Sequence, residues 1–365
     1  MEEYGRIWEL PDIEPKKGFR WCWWFWLVFI DNPADPDRPR QVMILWSFKD
    51  SPTIIHDTHY HPGEGVDRTP EKDTFPGVVA AWYFDGEEMD HDLALEQGPV
   101  TVVRELDNPG TGRLSIDTPK GNDYVFEGAP RDWRLRIRNE KHDMDYTIRL
   151  EKPNVFTSPI YRTKHFLRGL FMYSVVKLNR CTMEGTVDGE KVTGTAYLQR
   201  IGMNNPCLPW FWGVLHFADG SILKYFFPHV STAIFRSDPV QRMPGHERLW
   251  FPAKREMEFY HAPTSTLHNF KRGTVERHDR ENGMPVFDIT FRSPTKDLTV
   301  TIDSYAHTHW RFRGKHPLVP INDLYYNEYP VRVTNLSFTC GGREVTLADT
   351  GPGAGNAEHT WGGLF

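Results

Sequence analysis

The sequence has no long apolar segment. Its most apolar run, WCWWFWLVFI at residues 21–30, is ten residues long, whereas a membrane-spanning helix needs about 20. The start of the chain, MEEYGRIWELPDIEPKKG, has neither the basic start nor the small-residue cleavage site of a signal peptide. We therefore expect no transmembrane helix and no targeting sequence, and predict a cytoplasmic protein.

Cysteine and positive charge are also scarce. The four cysteines lie far apart and form no CxxC pair, which argues against a zinc site and a disulfide scaffold and favours reduced thiols. The net charge is −6, and no block of lysine and arginine occurs. A nucleic-acid-binding protein would usually have a basic stripe, so this class is excluded.

Aromatic residues are abundant, at 14% of the chain, and favour strands and large apolar cavities. Short apolar or alternating runs alternate with Pro- and Gly-rich turns, as in an all-β protein. The VDGEKV segment at 187–192 predicts a tight hairpin, because Asp-Gly between two such runs is a strong turn signal. The best candidate for a helix or an irregular segment, SPIYRTKHFLRGLFMYSVV at 158–176, is weak.

The sequence contains a loose internal repeat. A tyrosine, a strand, a Gly-rich hairpin and a second strand follow one another from Tyr173 and again from Tyr326. This pattern predicts two tandem β domains, residues 1–235 and 236–365, joined near RSDPVQRMPGHERL. Many short antiparallel strands without βαβ alternation predict barrels or sandwiches, and a small barrel can enclose one apolar ligand.

Several scattered motifs match one family. A GTAYLQR strand is followed by WFW and a DG hairpin, and the last part of the chain contains YNEYPV and EHTWG. The matching residues are Gly194, Ala196, Tyr197, Arg200, Trp210, Trp212, Asp219, Gly220, Tyr326, Glu328, Val331, Glu358, His359, Trp361 and Gly362. On these residues, and on WWFWLVFI and AAWYFDGEEM nearer the start, the sequence resembles the AttH-like and acyclic carotenoid hydratase family.

The resemblance implies a fold and a chemistry. It implies two tandem lipocalin-like domains, a hydrophobic small-molecule or prenyl-lipid substrate, and no metal or organic cofactor. The implied activity is that of a hydro-lyase, which adds water to an isoprenoid double bond of a carotenoid or prenyl lipid. A non-catalytic lipid-binding protein and a cyclase or pericyclase acting on a polyene remain alternatives. In this family an acid occupies the position of Gln199, and an amide cannot deliver a proton, so another acid must serve or the protein is no hydratase.

Three acids have aromatic neighbours in the sequence: Asp85, Glu328 and Glu358. A carboxyl beside an apolar wall keeps its proton at neutral pH and can protonate an alkene. Each also has a simpler interpretation: Asp85 in a turn, Glu328 on a wet strand face, and Glu358 paired with His359 to anchor the chain end. We favour Glu358, with His359 as a second polar group, although adjacent strand residues face opposite sides. The predicted substrate-binding residues are Trp212, Tyr197, Arg200, Tyr326, Trp361 and Trp82.

Histidines occur in two short groups, HDTHYH at 56–61 and HTH at 307–309. Polar loop histidines are common, and no Cys or Glu spacing supports a metal site. We therefore predict no metal. The run Trp21–Trp26 suggests peripheral contact with a membrane if part of it is exposed, or a buried core if it is not. The sequence predicts no protein partner.

Overall fold

Antiparallel strands make up almost all of the protein. The computed structural model describes residues 2–10, 18–62, 65–166, 171–235, 251–252, 256–314 and 322–364. Within these ranges the helices are α1 (Glu2–Gly5), α2 (Leu347–Thr350) and three single 3-10 turns at Arg6–Trp8, Thr232–Phe235 and Ala262–Thr264. The all-β prediction is therefore confirmed.

The first sheet closes on itself. Its strands are β1 (Arg20–Ile30), β2 (Arg40–Lys49), β5 (Asp67–Arg68), β6 (Lys72–Phe84), β7 (Met89–Arg104), β8 (Gly112–Ile116), β9 (Asp123–Ala129), β10 (Asp132–Arg138), β11 (Asp143–Arg149), β12 (Ile160–Phe166), β13 (Phe171–Val187) and β14 (Glu190–Asn204). Because β11 also pairs with β13, ten of these strands form a closed antiparallel barrel. Closure removes the exposed edges that an open sheet would have.

The second sheet contains the rest of the strands. They are β3 (Thr53–Ile55), β4 (Thr58–Tyr60), β15 (Trp210–Phe217), β16 (Ile222–Val230), β17 (Phe251–Pro252), β18 (Glu256–His261), β19 (Thr266–Asn269), β20 (Arg272–Asp279), β21 (Pro285–Ser293), β22 (Lys296–Ser304), β23 (Thr308–Gly314), β24 (Asp323–Cys340), β25 (Arg343–Thr346) and β26 (Gly353–Gly363). The last strand, β26, lies in the interior of the sheet between β15 and β24. Strands β3 and β4 come from the first part of the chain and attach through β23.

After β3 and β4 the chain returns to the first sheet, and it passes to the second sheet again between Asn204 and Trp210. The sequence-based division at residue 235 assigns β15 and β16 to the N-terminal unit, but in the structure these strands pair with β26 and β18 in the second sheet. The predicted linker, residues 236–249, lies outside the described residues. Strand pairing over long sequence distances therefore sets the composition of each sheet.

Two local predictions have different outcomes. The hairpin at 187–192 is confirmed: β13 and β14 are joined by Asp188 and Gly189, which both have positive φ angles, 52° and 84°, as a type I′ turn requires. The helix candidate at 158–176 is wrong, because its described residues form β12 and the start of β13. Hydrogen bonding of β13 to β14 overrides the weak helical pattern.

The aromatic strand β1 is buried on both faces. Its even-numbered side chains from Cys22 to Ile30 lie in the core of the barrel, whereas Trp21, Phe25, Leu27 and Phe29 pack between the two sheets. This position explains the continuous apolar run, since a strand with one wet face would alternate. Trp24 and Trp26 are fully buried in the barrel core.

None of the described helices is both long enough and apolar enough to cross a membrane.

Candidate functional site

Two glutamates face each other in the second sheet. Strands β24 and β26 are antiparallel neighbours, and their register places Glu328 directly opposite Glu358. Both side chains are buried, with 0% and 4% of the residue exposed. Directly opposed like charges are unfavourable on a sheet, so this carboxyl pair strongly resists ionisation of both members.

A tyrosine bridges the carboxyl pair. Tyr326 lies two residues before Glu328, on the same face of β24, and its hydroxyl oxygen is 2.8 Å from Oε1 of Glu328 and 2.6 Å from Oε1 of Glu358. A phenol has one proton and donates to only one of these oxygens. The other contact requires a protonated carboxyl that donates to the tyrosine. The geometry therefore fits a pair that retains at least one proton.

Each outer carboxyl oxygen accepts a hydrogen bond from an indole. Trp82, on β6 of the barrel, donates to Oε2 of Glu328. Trp210, on β15, donates to Oε2 of Glu358 at 2.7 Å. The first contact crosses from one sheet to the other, so the docking of the two sheets completes the site. The indole and phenol groups fix the orientation of both carboxyls.

Burial is the main electrostatic influence on the pair. It raises the pKa of Glu328 from 4.5 to about 7, although hydrogen bonds from Trp82 and Tyr326 oppose the change. Burial is the larger cause, and the charge of Glu328 the smaller, that raises the pKa of Glu358 from 4.5 to about 8. A neutral carboxylic acid is thus available at neutral pH, as general acid catalysis requires.

The raised pKa of Glu358 makes stability depend on pH. In the unfolded chain this carboxyl titrates near 4.5, and in the folded protein near 8. The folded protein holds this proton between these values, so the contribution of Glu358 to stability is fully present below 4.5 and is lost as the pH rises towards 8. We expect Glu358→Gln to gain stability over the wild type across this range, by about 1.4 kcal/mol for each unit of pKa shift removed.

Urea denaturation at about pH 5 and about pH 9 measures this difference. Glu87→Gln, at an exposed turn position, is the control and should show the same stability relative to the wild type at both pH values. A stability difference for Glu358→Gln that does not change with pH would contradict a buried proton.

A cavity of about 380 Å³ lies in front of the pair, between the sheets. Glu358 and Tyr326 line it, whereas Glu328 lies behind them. Its wall is mostly apolar and rich in aromatic side chains: besides Tyr326 these are Trp21, Trp23, Phe25, Phe171, Tyr173, Trp210, Trp212, Phe226 and Phe312. Its volume lies within the range of small-molecule sites, about 300–1,000 Å³.

Of the predicted binding residues, Trp212 and Tyr326 line this cavity, and Tyr197 packs against Trp212. Trp212 is the strand partner of Glu358, and its ring centre is 5.5 Å from that of Tyr197. The Tyr197 hydroxyl donates to Oε1 of Gln199 at 3.1 Å. Gln199 also lines the cavity, so its amide faces the same space as Glu358.

Three other predicted residues face away from the cavity. Arg200 points to the barrel side, where its Nε donates to the carbonyl of Arg6 at 3.0 Å and burial lowers its pKa to about 10. The His359 ring stacks on Phe211 with centres 4.1 Å apart. Trp361 is buried on the same side, 5.4 Å from His359. The alternation of side chains along β14 and β26 separates these residues from Tyr197 and Glu358.

Asp85 occupies an exposed turn. Its Oδ1 accepts hydrogen bonds from the backbone N–H groups of Glu87 and Glu88 at 2.8 and 2.7 Å. Asp85 is therefore a turn residue, as its simpler interpretation holds, and it lies away from the carboxyl pair.

The histidine groups approach one another without forming a ligand set. The rings of His56 and His309 are 5.5 Å apart, and Nε2 of His307 contacts the side-chain oxygen of Asn327 at 3.0 Å. Among the described residues, no three His, Cys, Asp or Glu side chains are grouped closely enough to hold a metal ion.

Sequence reasoning missed two parts of the site. Trp210 was matched only as a family residue, not as the indole that orients Glu358. The charged residues Lys164, Lys177 and Glu256 also line the cavity. Glu256 and Glu258 alternate with apolar residues in EMEFYH. Such charges on an otherwise apolar strand are the sequence signal that could have indicated a buried charged group.

The comparisons with known proteins support the fold. Neither a family model nor a curated protein matches this sequence. Among solved structures, the chain is similar to a crystal structure of a protein from Nitrosomonas europaea described as a "putative AttH". The TM-score is 0.51 at 15% sequence identity, over 96% of this chain and 98% of the other. At this identity the similarity establishes an AttH-like fold alone.

Proposed function

We propose that this protein is a hydratase that adds water to an isoprenoid double bond of a carotenoid or prenyl lipid, with Glu358 as the general acid. One observation carries the proposal: a carboxyl pair that retains a proton at neutral pH opens onto an aromatic cavity. Such a pair has little structural value, because burying two opposed carboxyls destabilises a sheet.

The reaction begins with proton transfer. Glu358 delivers its proton to one carbon of the double bond, and a tertiary cation forms at the other carbon. The faces of Trp210, Trp212 and Tyr326 stabilise this cation, by about 2 kcal/mol or more in a dry pocket. Tyr326 connects Glu358 to the proton held behind it by Glu328.

Water then completes the addition. Its oxygen bonds to the cation, and the excess proton returns to the Glu358 carboxylate, so the net change is one water added. The indole N–H of Trp212 is buried and has no hydrogen-bond partner among the described residues. It is therefore available to hold the water, together with the Gln199 amide.

The same acid also supports cyclisation as a second candidate. If water is excluded from the cavity, the cation is captured by another double bond of the same chain. The apolar, aromatic-rich wall and the modest volume of the cavity suit a folded polyene as well as an extended one.

Mass spectrometry of prenyl substrates incubated with the purified protein tests the proposal. We expect a product heavier by one water, with oxygen derived from H₂¹⁸O. A rearranged product of unchanged mass would support the cyclase instead. Substrate that is bound but unchanged would refute both enzymes and favour a lipid-binding protein.

A further inference from the structure

A second group of buried charges lies between the sheets. Lys164 and Lys177, on β12 and β13 of the first sheet, both pair with Glu256 on β18 of the second sheet, Lys177 at 3.2 Å. On the same strand, Glu258 pairs with Lys224 at 2.8 Å and with Arg162 at 3.2 Å.

Positive charge exceeds negative charge in this group. The four described cations, Arg162, Lys164, Lys177 and Lys224, share two carboxylates, which leaves a net charge of +2. An uncompensated buried cation is costly. Arg162 reaches solvent, because 39% of its side chain is exposed, so the excess that remains at the lysines requires another anion or water.

Lys177 has unused hydrogen-bonding capacity. Its side chain is 6% exposed, and among the described residues it donates only to Glu256. An ammonium group has three N–H donors, so two have no acceptor there. Among the described residues, the Lys164 ammonium likewise donates only to Glu256. We call Lys164, Lys177 and Glu256 the lysine site.

The lysine site belongs to the same cavity as the carboxyl pair. All three of its residues line the cavity together with Glu358. Tyr173 lies between the two groups: burial raises the pKa of its hydroxyl, and the charges of Glu256 and Glu358 both add to this effect. The cavity thus has an acid in one region, ammonium groups in another, and aromatic side chains between them.

We propose that the ligand of this cavity is an amphiphile, an apolar chain with an anionic carboxylate or phosphate head group that binds Lys164 and Lys177. The identity of the chain rests on the proposed function, whereas the charge of the head group rests on the lysine site. Anchoring the head group there places the chain along the aromatic wall, towards Glu358. The substrate class is therefore an acidic prenyl lipid rather than a neutral hydrocarbon.

Binding of three probes with the same chain tests this proposal. Farnesol, farnesoic acid and farnesyl phosphate share a prenyl chain and differ in the head group, and calorimetry or quenching of tryptophan fluorescence gives their affinities. We expect the wild type to bind at least one anionic probe about tenfold or more tightly than farnesol, because hydrogen bonds to charged groups are the stronger ones. The stronger anionic probe identifies carboxylate or phosphate as the natural head group.

Three variants test whether the lysine site causes the preference for an anionic head group. Lys177→Met should remove most of the preference for an anion, whereas Lys191→Met, at an exposed hairpin position, should retain it. Glu256→Gln removes the competing carboxylate and should increase the affinity for the anionic probes. The proposal would be overturned if the wild type bound all three probes equally, or if the folded wild type bound none of them. Both outcomes are measured on the wild type alone.

The outcome is separable from that of the proposed function. Glu358→Gln should leave the head-group preference unchanged even if it abolishes turnover. If water addition depends on Glu358 but the probes bind equally, the hydratase stands and the head-group inference fails. If the anion preference is present but no product forms, the head-group inference stands and the hydratase fails.

Discussion

Replacing Glu358 with glutamine is expected to reduce kcat by about 10²–10⁴-fold, the usual contribution of a general acid. Glutamine retains the size of the side chain, and its carbonyl oxygen can still accept the hydrogen bond from Trp210. It cannot deliver a proton to an alkene. The loss should therefore appear in turnover with little change in substrate affinity or in the circular dichroism of the folded protein.

Glu328→Gln is the matched comparison for this prediction. Glu328 lies behind Glu358 and does not line the cavity, so its replacement should cost less turnover and should shift the pH dependence by removing the shared proton. Activity of the wild type should fall as the pH rises through about 8, where Glu358 ionises. If both variants fold and retain near-full turnover, the assignment of the acid is wrong. A larger loss in Glu328→Gln would instead identify Glu328 as the donor.

Replacing Lys224 with methionine is expected to lower the free energy of unfolding by about 3–5 kcal/mol. Lys224 and Glu258 are only 2% and 4% exposed at their side chains, and their charged atoms lie 2.8 Å apart. Burial is the larger cause, and the charge of Lys177 the smaller, that lowers the pKa of Lys224 to about 8, whereas Glu258 opposes this change and favours the ammonium form. Removal of Lys224 leaves Glu258 buried, with Arg162 as the remaining ion-pair partner among the described residues. Urea denaturation at neutral pH measures the loss.

A double variant separates the pair from its individual charges. Lys224→Met combined with Glu258→Met replaces both charges with apolar groups of similar size, and this is often close to neutral for a buried pair. We expect the double variant to be more stable than either single variant. Arg162 keeps access to water, because 39% of its side chain is exposed. If the loss of stability in the double variant equals the sum of the losses in the two single variants, the two charges act independently and not as a pair.

Local sequence determined the strands and several turns. Asp188 and Gly189 dictate their hairpin because few other residues adopt two successive positive φ angles. The continuous apolar run of β1 required burial on both faces, which the structure provides between the barrel core and the second sheet. The sequence also identified Glu328 and Glu358 as candidate acids, because both lie among aromatic residues and match the motifs of the resemblance.

Tertiary structure alone decided how these residues meet. Side-chain alternation shows that Glu358 and His359 face opposite sides, but only the packing of β26 turned Glu358 to the cavity and His359 to Phe211. The register of β24 on β26 set Glu328 opposite Glu358. Docking of the barrel brought the Trp82 indole to the pair. These contacts join residues far apart in the chain, and no local pattern fixes a register or a docking angle, because both result from the packing of whole sheets.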